Sequence, residues 1–118
     1  FPVKMIPIAD KGFYQAHPYF TRREIPAGTY KGVDRPVATP TSRVVMYTSQ
    51  KAGLNQNDVY RLLKGVWEHR GGWAESHPAV RRYTTLKDAL GGLNIPLHPG
   101  AVKYYQEKGL AIPAKLIK

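Results

Sequence analysis

Asn94-Ile95-Pro96-Leu97-His98-Pro99-Gly100-Ala101-Val102-Lys103-Tyr104-Tyr105 is the stretch from which the rest of the chain can be ordered. It reads as a short extended entry, a sharp turn and a helix. Pro96 and Pro99 fix φ and push the residues before them, Ile95 and His98, towards extended backbone. Pro99 suits the first turn of a helix, where its missing N–H is not needed. Ala101, Val102 and Tyr105 then fall on one face, and Gly109 is placed to end the helix.

Upstream of it lie two more helical patterns. Asn55 or Asn57 can cap the first by accepting free backbone N–H groups. Val59, Leu62, Leu63, Val66 and Trp67 follow at helical spacing as one apolar stripe, and Gly71-Gly72 is expected to end it. A short helical turn is expected around Pro78-Ala79-Val80. A second helix is expected over residues 85–93, where Thr85 and Asp88 have the spacing of a capping box and Leu86, Ala89, Leu90 and Leu93 form the stripe. Residues 110–118 are a tail carrying Ile112, Leu116 and Ile117.

The first half of the chain reads as strands and loop, with residues 31–40 expected to be loop-rich and punctuated by Gly32, Pro36 and Pro40. Residues 3–8 look like a strand that Pro7 marks as an edge or a strand end. Residues 10–20 carry a short helical pattern, with Phe13, Tyr14 and Ala16-His17, stopped by Pro18. Residues 21–30 are extended, with a Pro-x-Gly turn signal at Pro26-Ala27-Gly28. Residues 42–49, through Val44-Val45-Met46-Tyr47, read as the best strand of all. They are β-branched and aromatic on both faces and so are expected to be central and buried. Strands followed by three helices make an α/β or α+β layout with a helical C-terminal half.

The chain has 118 residues, of which 42% are hydrophobic, enough for one domain with one core. Ten prolines and eleven glycines call for short elements and much loop. No apolar run approaches the roughly 18–20 residues that cross a bilayer. The opening Phe1-Pro2-Val3-Lys4-Met5 looks like a strand cut into. The expectation is a processed chain, or the C-terminal part of a longer one. With no cysteine there is no disulfide scaffold, thiol nucleophile or Cys-based zinc site. The formal charge is +10, which attracts anions: nucleic acid, a membrane surface or an acidic small molecule. The basic residues are dispersed, with Arg22-Arg23 and Arg81-Arg82 the densest pairs, so a solvated basic surface is the better reading.

Catalytic constellations are missing. His17, His69, His77 and His98 show no metal-ligand spacing. His98, just before a Pro-started helix, is read as structural rather than as facing a cleft. Ser42, Ser49 and Ser76 have no nucleophile context. Glu68, Glu75, Asp88 and Glu107 look like surface or cap residues, which leaves no acid pair. Ala27-Gly28-Thr29-Tyr30-Lys31-Gly32 matches no phosphate-binding loop. Tyr83 and Tyr104-Tyr105 lie near basic residues, as on surfaces that stack bases. Tyr105, however, falls on the apolar face of its own helix, and Trp67 on that of the earlier one. The polar run Ala38-Thr39-Pro40-Thr41-Ser42-Arg43 stands out: hydroxyls and a guanidinium at a strand mouth can hold a carboxylate. Its bland counterpart is a hinge loop whose hydroxyls bond to their own backbone. No enzyme activity, cofactor or metal is expected.

Four motifs occur in one order: I-P-A-G-T-Y-K-G (25–32), V-A-T-P-T-S-R-V-V (37–45), D-V-Y-R-L-L-K (58–64) with His77 downstream, and I-P-L-H-P-G-A-V-K-Y-Y-Q-E-K-G (95–109). Together they resemble the solute-binding subunit of tripartite ATP-independent periplasmic (TRAP) transporters, in the TAXI subfamily. The resemblance implies a periplasmic protein with a two-lobed, type II periplasmic-binding-protein fold. It implies closure on a small organic anion, glutamate or a related carboxylate, and delivery to membrane subunits. It also implies that an N-terminal portion completing the first lobe lies outside this chain. A lone copy would then expose surface meant for that lobe, and homo-oligomers are one expected consequence. Tyr30, Thr39, Thr41 and Arg43 are the candidate ligand residues, because they flank the crossing between lobes. The alternative is a small basic nucleic-acid-binding module, for which the charge and aromatic content speak but no motif does.

Overall fold

The computed structural model describes residues 1–118, the side chain of Gln50 excepted. They group into two compact units, Phe1–Val44 and Val45–Lys118. The architecture is mixed α/β: a two-stranded sheet and five α-helices among the described residues.

In the first unit, α1 (Lys11–Ala16) starts where the Asp10 carboxylate accepts the Phe13 N–H at 2.8 Å, and it stops at His17, before Pro18. β1 (Thr21–Ile25) and β2 (Val37–Thr41) pair antiparallel, from Thr21 opposite Thr41 to Ile25 opposite Val37. Residues 37–40 are thus strand and not the loop expected of them, Pro40 being accommodated in a strand that pairs on one side only. Alternation along the strands puts Thr21, Arg23, Ile25, Val37, Thr39 and Thr41 on one face. Arg22 and Glu24 lie on the other, exposed and ion-paired at 3.0 Å. The connecting loop depends on glycine. Gly32 has φ +90, and a Cβ there would meet the Val3 carbonyl at 2.9 Å.

Residues 3–8 do run extended against this hairpin, but they form no strand. Two backbone bonds hold them, from the Val3 N–H to the Lys31 carbonyl at 2.8 Å and from the Ile8 N–H to the Ala38 carbonyl at 3.0 Å. Pro2 and Pro7 have no N–H to give, which limits any ladder. The larger correction concerns residues 42–49. They form no strand, and Val44 (105% exposed), Met46 and Tyr47 stand in solvent. Composition marks a segment as fit for burial, but burial needs a neighbouring strand, and only β1 and β2 pair among the described residues.

In the second unit, α2 (Gln56–Glu68) opens on a full capping box. The Asn55 side-chain oxygen accepts the Asn57 and Asp58 N–H groups at 2.8 and 3.0 Å, and the Asp58 carboxylate accepts the Asn55 N–H at 3.0 Å. The helix breaks at His69, earlier than Gly71-Gly72, which lie inside α3 (Arg70–Ala74). The break leaves the Val66 carbonyl free, and the Trp73 indole N–H bonds to it at 2.7 Å. α4 (Pro78–Tyr83) follows, its last carbonyls held by Arg70, whose Nε donates to Thr84 at 2.8 Å and whose Nη2 donates to Arg81 at 2.5 Å. The expected helix over 85–93 is only a 3-10 turn, Leu86–Asp88, followed by turns. Gly91-Gly92 make a longer helix costly, and the Thr85 hydroxyl donates to the Asp88 carboxylate at 2.9 Å and accepts no backbone N–H as a cap.

α5 (Pro99–Glu107) forms as its sequence dictates. Pro99 opens it, the His98 Nδ1 accepts the Gly100 N–H at 3.2 Å, and Gly109 follows it at φ +75. α2 and α5 pack in parallel, since Gly100 lies on the first turns of α2 while Lys108 Nζ reaches Glu68, the last residue of α2, at 3.0 Å. Val59, Ala101, Tyr104 and Tyr105 form the buried centre, with Tyr104 only 1% exposed. Leu63, Trp67, Leu86, Leu90 and Leu110 pack around it, whereas Leu62 stays half in solvent despite its place on the stripe. The tail returns to this core. The Leu97 N–H donates to the Leu116 carbonyl at 2.8 Å, and Leu116 is fully buried.

Two outcomes are expected from this packing. In Gly100→Ala the new Cβ would collide with the Gln56 carbonyl and sit 2.9 Å from the Tyr60 nitrogen, both backbone atoms of α2. Overpacking of this kind costs about 1–3 kcal/mol or more. Urea unfolding followed by tryptophan fluorescence measures it, and a loss below about 0.5 kcal/mol, the ordinary surface-substitution range, would refute the close approach. The second outcome is electrostatic. The hydrogen bond from Lys108 holds the Glu68 carboxyl below its ordinary pKa. A depressed carboxyl stabilises the fold above its unfolded pKa and loses that contribution as pH falls through the folded value. Lys108→Gln is therefore expected to raise the Glu68 midpoint in an NMR titration, and an unmoved midpoint would remove the pair from the account.

Candidate functional site

β2 carries the polar face of the first unit. Its side chains alternate, so Thr39 and Thr41 point to the same side as Arg23 and Thr21 of β1. The Thr39 hydroxyl turns back to the Pro40 carbonyl at 3.3 Å, a long local bond that an incoming acceptor can replace. The Thr21 hydroxyl lies 3.5 Å from the Thr41 carbonyl. Arg43 follows Thr41 by two residues. Its Nε is shut off from solvent and has no hydrogen-bond partner among the described residues. A desolvated donor without an acceptor is the kind of group that rewards a bound carboxylate.

Tyr30 sits elsewhere. It belongs to the loop beyond the Ile25–Val37 pair, at the opposite end of the ladder from Thr41, with 52% of its surface exposed. The fold thus brings Thr39 and Thr41 onto one face, sets Arg43 just past their end of the hairpin and leaves Tyr30 apart. Arg23 was not singled out from the sequence. Its cross-strand partner, Thr39, places it on the hydroxyl face, and only the register between the two strands reveals that.

The second unit contains an open groove of about 420 Å³ lined by Asn55, Gln56, Asn57, Tyr60 and Lys103. Much of its polar lining is already engaged. Asn55 caps α2, and the Tyr60 hydroxyl donates to Glu107 at 2.7 Å, a bond that raises the phenol pKa above its ordinary value. Lys103 Nζ stands 5.1 Å from the centre of the Tyr60 ring, a cation–π contact.

The remaining candidates of the sequence fall into structural roles. His98 and His77 cap α5 and α4 through Nδ1, and the His17 Nδ1 lies 3.0 Å from the Tyr19 hydroxyl. Among the described residues no three histidines or carboxylates gather as metal ligands. Tyr104 and Tyr105 are buried, so their faces are closed to stacking bases. Arg22 and Arg81, one from each basic pair, are tied to Glu24 and Glu75. Among the described residues no helix is long and apolar enough to cross a membrane.

Nearly the whole chain, residues 2–109, matches the profile of the NMT1-like family. The span takes in both units, the hydroxyl face of β2 and the whole of α5. The chain belongs to the NMT1-like family, a family of periplasmic solute-binding proteins.

Proposed function

We propose that this chain is part of the receptor of a TRAP-type importer, of the TAXI kind, and that it captures a small organic anion such as glutamate or a related carboxylate in the periplasm. The observation that carries the reading is Arg43. Its Nε is shielded and unpartnered, and the residue follows the Thr39–Thr41 hydroxyl run of β2 by two positions in the chain. Thr39, Thr41 and Arg43, with Arg23 across the ladder, hold the carboxylate. Tyr30 belongs to the loop end and contacts the solute only where a second lobe closes over the face. Capture is by hydrogen bonds and charge, with no covalent step, and release goes to the membrane subunits of the transporter. Family membership supports the solute-binding role. The order of the four sequence motifs supports the TRAP and TAXI assignment. The same reading takes the fold as part of a two-lobed, type II binding protein, whose other lobe or a second copy covers the exposed residues 44–47.

The test is a thermal-shift assay on the full chain at physiological salt, with a panel of amino acids and dicarboxylates beside a short DNA duplex. A solute at about 100 times its dissociation constant stabilises by roughly 2.7 kcal/mol, which is easily seen. One small carboxylate is expected to shift the midpoint and the duplex is not. A shift with DNA alone, fading as salt rises, would replace the proposal with a basic nucleic-acid surface. Silence across the panel would deny this chain solute binding of its own.

Arg43→Gln gives the residue-level outcome. A hydrogen bond to a charged group is worth roughly 1.5–3 kcal/mol, so affinity is expected to drop about tenfold to a hundredfold. The unliganded midpoint is expected to stay within the range of ordinary surface changes, about 0.5 kcal/mol. Isothermal titration with the solute found in the panel reads both wild type and variant. Equal affinities would take Arg43 out of the site.

A further inference from the structure

We draw no further inference here: the strongest candidate, the exposed apolar run of residues 44–47 that follows the β-hairpin, carries nothing beyond the function proposed above, because nothing in the structure shows what covers it.

Discussion

Gly100 sets how closely α5 can approach α2, and the second unit is built on that distance. Its Cα faces the Gln56 carbonyl, the Tyr60 nitrogen and the Val59 Cβ, with no room for a side chain. Once the helices meet there, helical geometry decides the rest. One turn on, Tyr104 lies edge-on to Tyr60 at 5.8 Å between ring centres, and its own ring is buried. Two turns on, Glu107 and Lys108 reach Tyr60 and Glu68. These polar ends are exposed and add little energy. They do fix the direction of α5, since only a parallel arrangement puts Lys108 beside the last residue of α2.

Parallel helices cannot be joined by a short turn, so the chain must travel back along the pair before α5 begins. Residues 69–98 make that journey, and the core explains their form. Leu86, Ala89, Leu90 and Leu97 pack on the α2–α5 seam, and Leu110 and Ile112 close it from beyond α5. The connection is itself the cover of the two-helix core. The first unit is built differently. A two-stranded hairpin is marginal alone, and here Val33, Val37 and Ala38 are its buried apolar residues while residues 3–8 lie along it through two backbone bonds. Val37 and the half-buried Ile25 take up one end of the threonine–arginine face, and Thr39 and Thr41 lie towards the other.

What could be read in advance follows from how local each cause is. α5 was legible because its signals are chemical and adjacent, Pro99 at the first position and Gly109 after the end, while the cap that His98 supplies emerged only in the structure. α2 was legible from its cap and stripe, though the stripe could not show that the helix breaks at His69. At that break the Trp73 indole takes up the Val66 carbonyl, a contact no periodicity encodes. In residues 85–93 the expected core positions Leu86, Ala89 and Leu90 do pack on the core, and Leu93 does not join them. The conformation differs, because these residues reach the core from a 3-10 turn and the turns after it. Residues 44–47 show the limit most clearly. Their side chains state a preference for burial, but burial also needs a partner strand, and none of the described residues supplies one. At the candidate site, the hydroxyls and Arg43 were visible as a run. Arg23 was not, since register is a property of two strands together.

The same distinction decides what the charge of +10 can do. A solvated cation attracts every anion about equally, and salt screens it within about 10 Å at 0.1 M. Arg22 and Arg81 are of that kind, exposed and paired to carboxylates. They set the long-range field of the protein and choose no ligand. Arg43 differs because its Nε has already left water without gaining an acceptor. The desolvation that opposes binding at an exposed guanidinium has in part been met by the fold, so under the proposed function a carboxylate at Arg43 would gain more of the hydrogen bond's gross strength. In the proposed site the Thr39 and Thr41 hydroxyls would add direction at little electrostatic expense, because a neutral donor neither repels nor strongly retains an anion. Such a mixture suits a carrier that must take up a solute and then let it go.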